Sequence, residues 1–144
     1  MKFKATPLVA VLILSIIFSS CEKAEQFLQK AVLTQIITSD RWVVETFAVS
    51  GTDVTAEYAP YEFEFNKNGS VTAFKSTEAI LGDWKEDLNA MSIETHFSNP
   101  TETLQRFNNV WYVGKSAPTY VEARAVTTNA ALLATPCISK TNSS

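Results

Sequence analysis

Few residues of this chain have the type and the spacing that chemistry requires. Glu62, Glu64 and Glu94 alternate with apolar residues, a pattern that places their carboxylates on the solvent-facing side of strands. Paired catalytic carboxylates instead need a cleft that moves their pKa values apart. The single histidine, His96, holds the same kind of position, and the chain lacks the three or four suitably spaced ligands of a zinc site. We therefore predict no catalytic residue, no metal site and no cofactor, and we expect that the protein is not an enzyme.

The N-terminal segment has the layout of a secretory signal peptide. Lys2 and Lys4 supply its positive charge, and an almost continuous apolar run follows from Pro7 to Phe18. This run is shorter than the roughly 20 apolar residues that a transmembrane helix needs. Residues 1–20 are therefore predicted to be a signal that is removed.

Cys21 follows small residues directly, as in a bacterial lipoprotein signal. The predicted lipobox consists of Phe18, Ser19 and Ser20, with Cys21 as the lipidated first residue of the mature chain. The expected location is then the bacterial cell envelope, with an anchor in the outer membrane. The sequence does not indicate which leaflet of that membrane holds the lipid. The alternative is ordinary cleavage that leaves Cys21 as a free thiol. The other cysteine, Cys137, has no basic neighbour nearer than Lys140, which gives an activated thiolate little support.

Length and charge limit the possible partners. Removal of residues 1–20 leaves 124 of the 144 residues, enough for one domain with a core that needs no disulfide. Loss of Lys2 and Lys4 reduces the 12 basic residues to 10 against 15 acidic residues, a formal charge of −5. Nucleic acid is excluded as a partner, because binding to phosphates depends on Lys and Arg. The expected membrane contact is the lipid on Cys21, since no basic run is present to bind anionic lipid.

Residues 22–38 are predicted to form a helix, since their apolar residues recur every three to four positions without Gly or Pro. With Cys21, the segment 21–38 would join the anchor to the domain. The alternative is an amphipathic helix that lies on the membrane surface. Such a helix normally carries Lys and Arg along its polar face, and this segment has only Lys23 and Lys30.

From Trp42 onward the apolar residues alternate with period two, which predicts strands. The clearest pair is Tyr61–Phe65 and Val71–Phe74, joined by the turn sequence Asn66–Gly69. The other predicted strands are Trp42–Val49, Ile80–Trp84, Met91–Phe97, Val110–Val113 and Tyr120–Val126, and a short helical turn is predicted at Thr101–Phe107. Short strands separated by regular turns predict an all-β, antiparallel barrel or sandwich.

The segment 127–144 differs from the rest. It contains no aromatic residue and a run of Ala and Leu without alternation, and it is predicted to be a weakly specified tail. The predicted organisation is thus a signal peptide (1–20), an anchor and short helix (21–38), a β-domain (39–126) and the tail.

Several segments together resemble a known family. They are Ser39–Val44, the hairpin Tyr61–Val71, the tripeptide Gly82–Trp84, and Leu104 and Phe107 before Val110–Val113. This pattern resembles the small lipocalin-like lipoproteins of Bacteroidota over Ser39 to Val126. The resemblance implies a small calycin-type barrel of about seven or eight strands. Asp40 stands where lipocalins have a glycine two residues before the tryptophan of the first strand, and the missing last strand leaves closure of the barrel open.

The aromatic residues are the remaining candidates for function. Trp42, Phe63 and Trp84 are predicted to line a pocket for a small apolar ligand, as lipocalin-like barrels allow. The alternative is a barrel whose aromatic residues fill the interior, so that the protein acts through its surface as a structural or protein-interaction module. An apolar cavity of roughly 300 Å³ or more would favour the ligand, and a packed interior would favour the module.

Overall fold

Strands account for most of residues 32–137, the part of the chain that the computed structural model describes. They are β1 (Arg41–Val49), β2 (Thr52–Asp53), β3 (Tyr61–Phe65), β4 (Ser70–Lys75), β5 (Glu78–Asp87), β6 (Ser92–Phe97), β7 (Asn109–Ala117), β8 (Tyr120–Ala125) and β9 (Ala130–Pro136). The helical elements are α1 (residues 32–39), α2 (Glu102–Gln105) and a 3-10 helix (Thr55–Tyr58). The predicted signal peptide, the lipobox, Cys21 and the first part of the predicted helix lie outside the described residues.

Eight of these strands form a closed antiparallel barrel. Each of β3 to β9 pairs with its neighbour in sequence, β1 pairs with β3, and β9 pairs with β1 to close the ring. The short strand β2 adds to the end of β1. The predicted all-β antiparallel barrel preceded by a short helix is confirmed.

The segment after Val126 was predicted to be a weakly specified tail, with a poorly specified last strand as one alternative, and Ala130–Pro136 form the closing strand. Inward-facing Ala130, Leu132 and Ala134 pack on the core, but the outward positions include Ala131 and Leu133. Both faces of this strand are therefore apolar, and alternation, the signal of a strand with one solvated face, is absent.

The turns follow the predicted chemistry. Gly69 has φ +88° in the β3–β4 turn, and the Asn68 side chain accepts a hydrogen bond from the backbone N–H of Ser70 at 3.0 Å. Met91, predicted to lie in a strand, has φ +52° and lies in the β5–β6 turn instead. The twisted hairpins need these left-handed residues to reverse direction.

The two helical regions sit at opposite ends of the barrel. At one end, Tyr58 of the 3-10 helix is buried and its hydroxyl donates to the Thr103 carbonyl at 2.9 Å. Leu104 of α2 is fully buried there, and Thr101 caps α2 by accepting from the Leu104 N–H. These residues close the α2 end.

The other end, named the α1 end, lies where β1 starts. The indole N–H of Trp42 donates to the carbonyl of Ile37 in α1 at 2.9 Å. Leu33, Ile36 and Ile37 are buried, and the Thr34 hydroxyl donates to Glu86 of β5. The helix thus covers this end with an apolar stripe, as an amphipathic helix does.

Candidate functional site

Aromatic rings occupy much of the barrel interior. Phe63 of β3 stacks on Phe107 with ring centroids 4.4 Å apart, and Phe107 also contacts Phe47 and Trp111, each at 5.7 Å. The Trp111 indole N–H and the Thr95 hydroxyl both donate to the Phe107 carbonyl. These hydrogen bonds satisfy the buried polar groups, so that the rings form a fixed core.

A cavity of about 60 Å³ remains between these rings and α1. The rings of Phe63, Phe107 and Trp111 border it, and Ile37 of α1 contributes to its wall. The strands β8 and β9 contribute small side chains, among them Ala123 and Ala134, which leave the space open. Its surface is entirely apolar, because Thr95 uses its hydroxyl on the Phe107 carbonyl.

The volume of this cavity decides what it can hold. Pockets for small-molecule ligands typically measure about 300–1,000 Å³. One water molecule needs only about 10–15 Å³ of such space, but it also needs polar partners, and this apolar wall offers none. The cavity is therefore a packing gap in an almost filled interior.

The structure brings together two of the three predicted ligand-binding residues. Trp42 and Phe63 both line the cavity. Trp84 lies beside the β3–β4 turn, where its indole N–H donates to the Asn66 carbonyl at 2.9 Å. Its ring is nearly perpendicular to the ring of Phe65, which does line the cavity, with ring centroids 5.5 Å apart. Trp84 thus supports the wall of the cavity from behind Phe65.

The carboxylates predicted to face solvent lie on the outer surface. Glu62 and Glu64 both bind Arg41, at 3.4 and 2.9 Å, and the guanidinium also lies 3.9 Å from the ring centre of Phe74. The hydrogen bond with Glu64 raises the pKa of Arg41. Glu94 pairs with Lys85 at 3.0 Å. All three carboxylates form ion pairs on the outer surface, and none lies in the apolar cavity.

The remaining candidates for chemistry are also on the surface. His96 is 61% exposed and lies 3.6 Å from the carboxylate of Asp83. The Cys137 thiol lies 3.3 Å from a carboxylate oxygen of Glu62. Residues 32–137 contain no group of three or more His, Cys, Asp or Glu side chains placed to hold a metal ion. Over the same range, no helix combines the length and the apolar character needed to cross a membrane.

A second concave region lies on the outside of the barrel and was not predicted. This outer groove measures about 560 Å³ and crosses β7, β8, β9 and β1. Its outward residues on the strands are Thr46, Ala48, Tyr112, Gly114, Glu122, Arg124, Ala131 and Leu133, and the exposed Val126 after β8 also lines it. The signal that could have revealed it is the run Ala130–Ala134, which has apolar residues at the outward as well as the inward positions of a strand.

Comparisons with known proteins bear on the fold. No family model matches the chain, and no curated protein matches it. The crystal structure of a DUF4847 family protein from Bacteroides vulgatus is similar, with a TM-score of 0.56 and 14% identity over 70% of this chain and 94% of the other. An NMR structure of a protein from Burkholderia xenovorans is similar with a TM-score of 0.50 and 14% identity, over 74% of this chain and 87% of the other. The chain therefore shares the fold of these proteins, which in this chain is a closed antiparallel barrel.

Proposed function

We propose that this protein is a bacterial envelope lipoprotein, anchored through Cys21, whose barrel is a packed scaffold acting through its outer surface as a protein-interaction module without catalytic activity. The observation that carries the proposal is the interior volume. About 60 Å³ of apolar space is well below the roughly 300 Å³ at which ligand pockets begin. The resemblance to small lipocalin-like lipoproteins supports the anchor.

The test is native mass spectrometry of the protein extracted from its own envelope. We expect a mass that includes the lipid on Cys21 and no further small molecule. A co-purifying apolar compound, lost when Phe63 is replaced by Trp to fill the cavity, would replace this proposal with the ligand-binding function.

The anchor is tested separately with Cys21→Ser. Each buried methylene contributes about 0.8 kcal/mol to membrane binding, so a lipid with more than one acyl chain gives stable attachment. We expect the variant to leave the membrane fraction or to remain unprocessed. Unchanged fractionation together with an unchanged N-terminal mass would contradict the anchor.

Binding of a small apolar ligand is a second candidate, favoured by the purely apolar wall of the cavity and by the position of Ile37 in it. Movement of α1 would widen this space. Titration of the protein with envelope lipid extracts, followed by tryptophan emission and thermal midpoint, tests it, since Trp42 lies at the cavity and donates to α1. A shift in either signal favours the ligand, and no shift with any fraction favours the module.

A further inference from the structure

The outer groove is unusual for the solvated face of an antiparallel barrel, which is normally polar. Ala131 is exposed and Leu133 is half-exposed, although both point outward from β9. Tyr112 on β7 is 45% exposed beside them. Neighbouring exposed apolar residues of this kind make the groove a candidate interaction site.

A row of paired residues runs across the middle of the groove. Val113 of β7 pairs with Ala123 of β8, Ala123 with Leu132 of β9, and Leu132 with Phe47 of β1. On each strand, the outward residues of the groove lie directly before and after the residue of this row. The groove therefore has two halves, one on each side of the row.

The two halves are complementary in side-chain size. On β7, Tyr112 lies on one side of the row and Gly114 on the other. On β9, Ala131 lies on the same side as Tyr112, and Leu133 lies on the side of Gly114. The space over Gly114 is open, since a Cβ atom built there would meet nothing within 4 Å. A large residue in one half thus corresponds to a small residue in the other.

The two charged residues on β8 are complementary across the row. Glu122 and Arg124 flank Ala123 on the outer face of β8, and neither makes an ion pair among the residues of the described chain, 32–137. A two-fold axis can be placed along the row, in the plane where two copies would meet. Rotation about this axis lays each strand over the same strand of the other copy, running in the opposite direction. It would place Glu122 of one copy opposite Arg124 of the other, and Tyr112 over Gly114.

We propose that the outer groove is an isologous interface that binds a second copy of this chain. The two-fold axis of the dimer lies along the row formed by Val113, Ala123, Leu132 and Phe47. Isologous contacts require a patch that is complementary to itself, and this patch is so in size and in charge. The inference rests on the proposed interaction function and names its partner. Anchoring on a shared membrane would raise the effective concentration of the two copies and favour the contact.

The test measures the oligomeric state of the mature protein, extracted from its own envelope in detergent, by native mass spectrometry and by light scattering on dilution. We expect a dimer for the wild type. Gly114→Val fills the site of the partner's Tyr112 ring without a clash inside its own barrel, and Leu133→Asp places a charge at an apolar position of the groove. Both are expected to raise the dimer dissociation constant at least about tenfold.

Leu81→Asp is the matched control. Leu81 is 67% exposed on β5, outside the groove, so the same change there should leave the dimer and its thermal midpoint unaltered. Thermal unfolding of every variant shows whether the barrel is intact. If Leu133→Asp fails to fold, Gly114→Val still decides the matter.

A charge exchange provides the sharpest readout. Glu122→Arg and Arg124→Glu should each weaken the dimer at least about tenfold, because like charges then face each other across the axis. The double variant, with Glu122→Arg and Arg124→Glu together, should restore the wild-type dimer affinity. If either residue acted only within its own barrel, the second exchange would not restore binding.

Three results would overturn the second copy as partner. They are a wild-type monomer at the highest soluble concentration, a dimer that tolerates Gly114→Val, or failure of the double exchange to restore binding. Co-purification of a different polypeptide, lost with Leu133→Asp, would also reject the self-interface but leave the interaction function standing. An apolar molecule bound in the interior would reject the proposed function and leave a measured dimer intact.

Discussion

Gly82 and Gly114 both lie in strands of the barrel, but the space around them differs. A Cβ at Gly82 would lie 2.5 Å from the His96 carbonyl oxygen and 2.9 Å from Cδ1 of Phe97. The close approach of β5 to β6 therefore depends on the missing side chain. At Gly114 the corresponding space is empty, and its φ is not in the left-handed region.

We expect Gly82→Ala to lower the free energy of unfolding by about 1–3 kcal/mol, since the backbone of β6 must shift. Gly114→Ala should leave it unchanged or raise it by up to about 1 kcal/mol, because alanine restricts the unfolded chain. Urea titration of both variants measures the difference. Equal losses would mean that β5 and β6 are not packed as described.

Tyr58 shows how burial acts on a titratable group. Desolvation raises the pKa of its phenol, and its hydroxyl donates to the Thr103 carbonyl. An acid with a raised pKa in the folded state holds its proton when the unfolded chain loses it. Its contribution to stability is therefore fully present below the unfolded pKa, about 10, and is lost as the pH rises through the higher folded pKa.

Tyr58→Phe should lower stability at pH 7 by about 0.5–1.5 kcal/mol, the net value of one hydrogen bond. It should also reduce the loss of stability above about pH 10, the unfolded pKa of tyrosine. Thermal midpoints measured from pH 7 to pH 11 test both effects. An alkaline loss as steep as that of the wild type would show that other groups cause it. The exposed Tyr112, replaced by Phe, is the matched control.

Among the elements, the described part of α1 packs on the barrel through one face. Leu33 is fully buried, whereas its neighbour Val32 is 41% exposed. The helix is thus held by its apolar stripe on the barrel.

Leu33→Ala should therefore lower the free energy of unfolding by about 2–5 kcal/mol, through lost burial and a residual cavity. Val32→Ala, on the exposed side, should change it by less than about 0.5 kcal/mol. Denaturant titration of the two variants checks this. Similar small changes at both sites would mean that α1 unfolds independently of the barrel.

The elements that sequence predicts well are those with one buried and one solvated face. In β3, aromatic residues alternate with Glu62 and Glu64, and its predicted bounds agree with the structure. In β9 this contrast is missing, because Ala131 and Leu133 face outward in the groove. The same apolar residues that conceal the strand in the sequence form the candidate interface.

For the molecule as a whole, sequence predicted a small antiparallel barrel through a resemblance, but neither its closure by β9 nor the volume of its interior. Trp42 and Phe63 line the cavity, whereas Trp84 does not. The side chains that line the cavity, and the space they leave, depend on how residues from different parts of the chain interdigitate. Phe63 and Phe107, for example, stack with ring centroids 4.4 Å apart. Such distances follow from the three-dimensional register and not from spacing along the chain.

The closing strand should be indispensable to the molecule. Seven residue pairs join β1 to β9, but only two join β1 to β3. A chain that stops after Asn129 should therefore show no cooperative thermal unfolding and should expose apolar surface to the dye ANS. Addition of a synthetic peptide with the sequence of residues 130–137 should restore cooperativity. A cooperative transition in the shortened chain alone would contradict this role of β9.

The pairing of β1 with β9 also sets when the molecule can fold during its synthesis. Val43 and Thr135 are neighbours in the barrel, yet 92 positions separate them in the chain. Contacts of such long range form late and slowly. The barrel cannot close before its last strand has emerged, so a nascent chain lacks its complete fold throughout most of its synthesis. This delay is compatible with the export that the proposed function requires, because a machinery that threads unfolded polypeptides would meet a chain whose barrel has not yet closed.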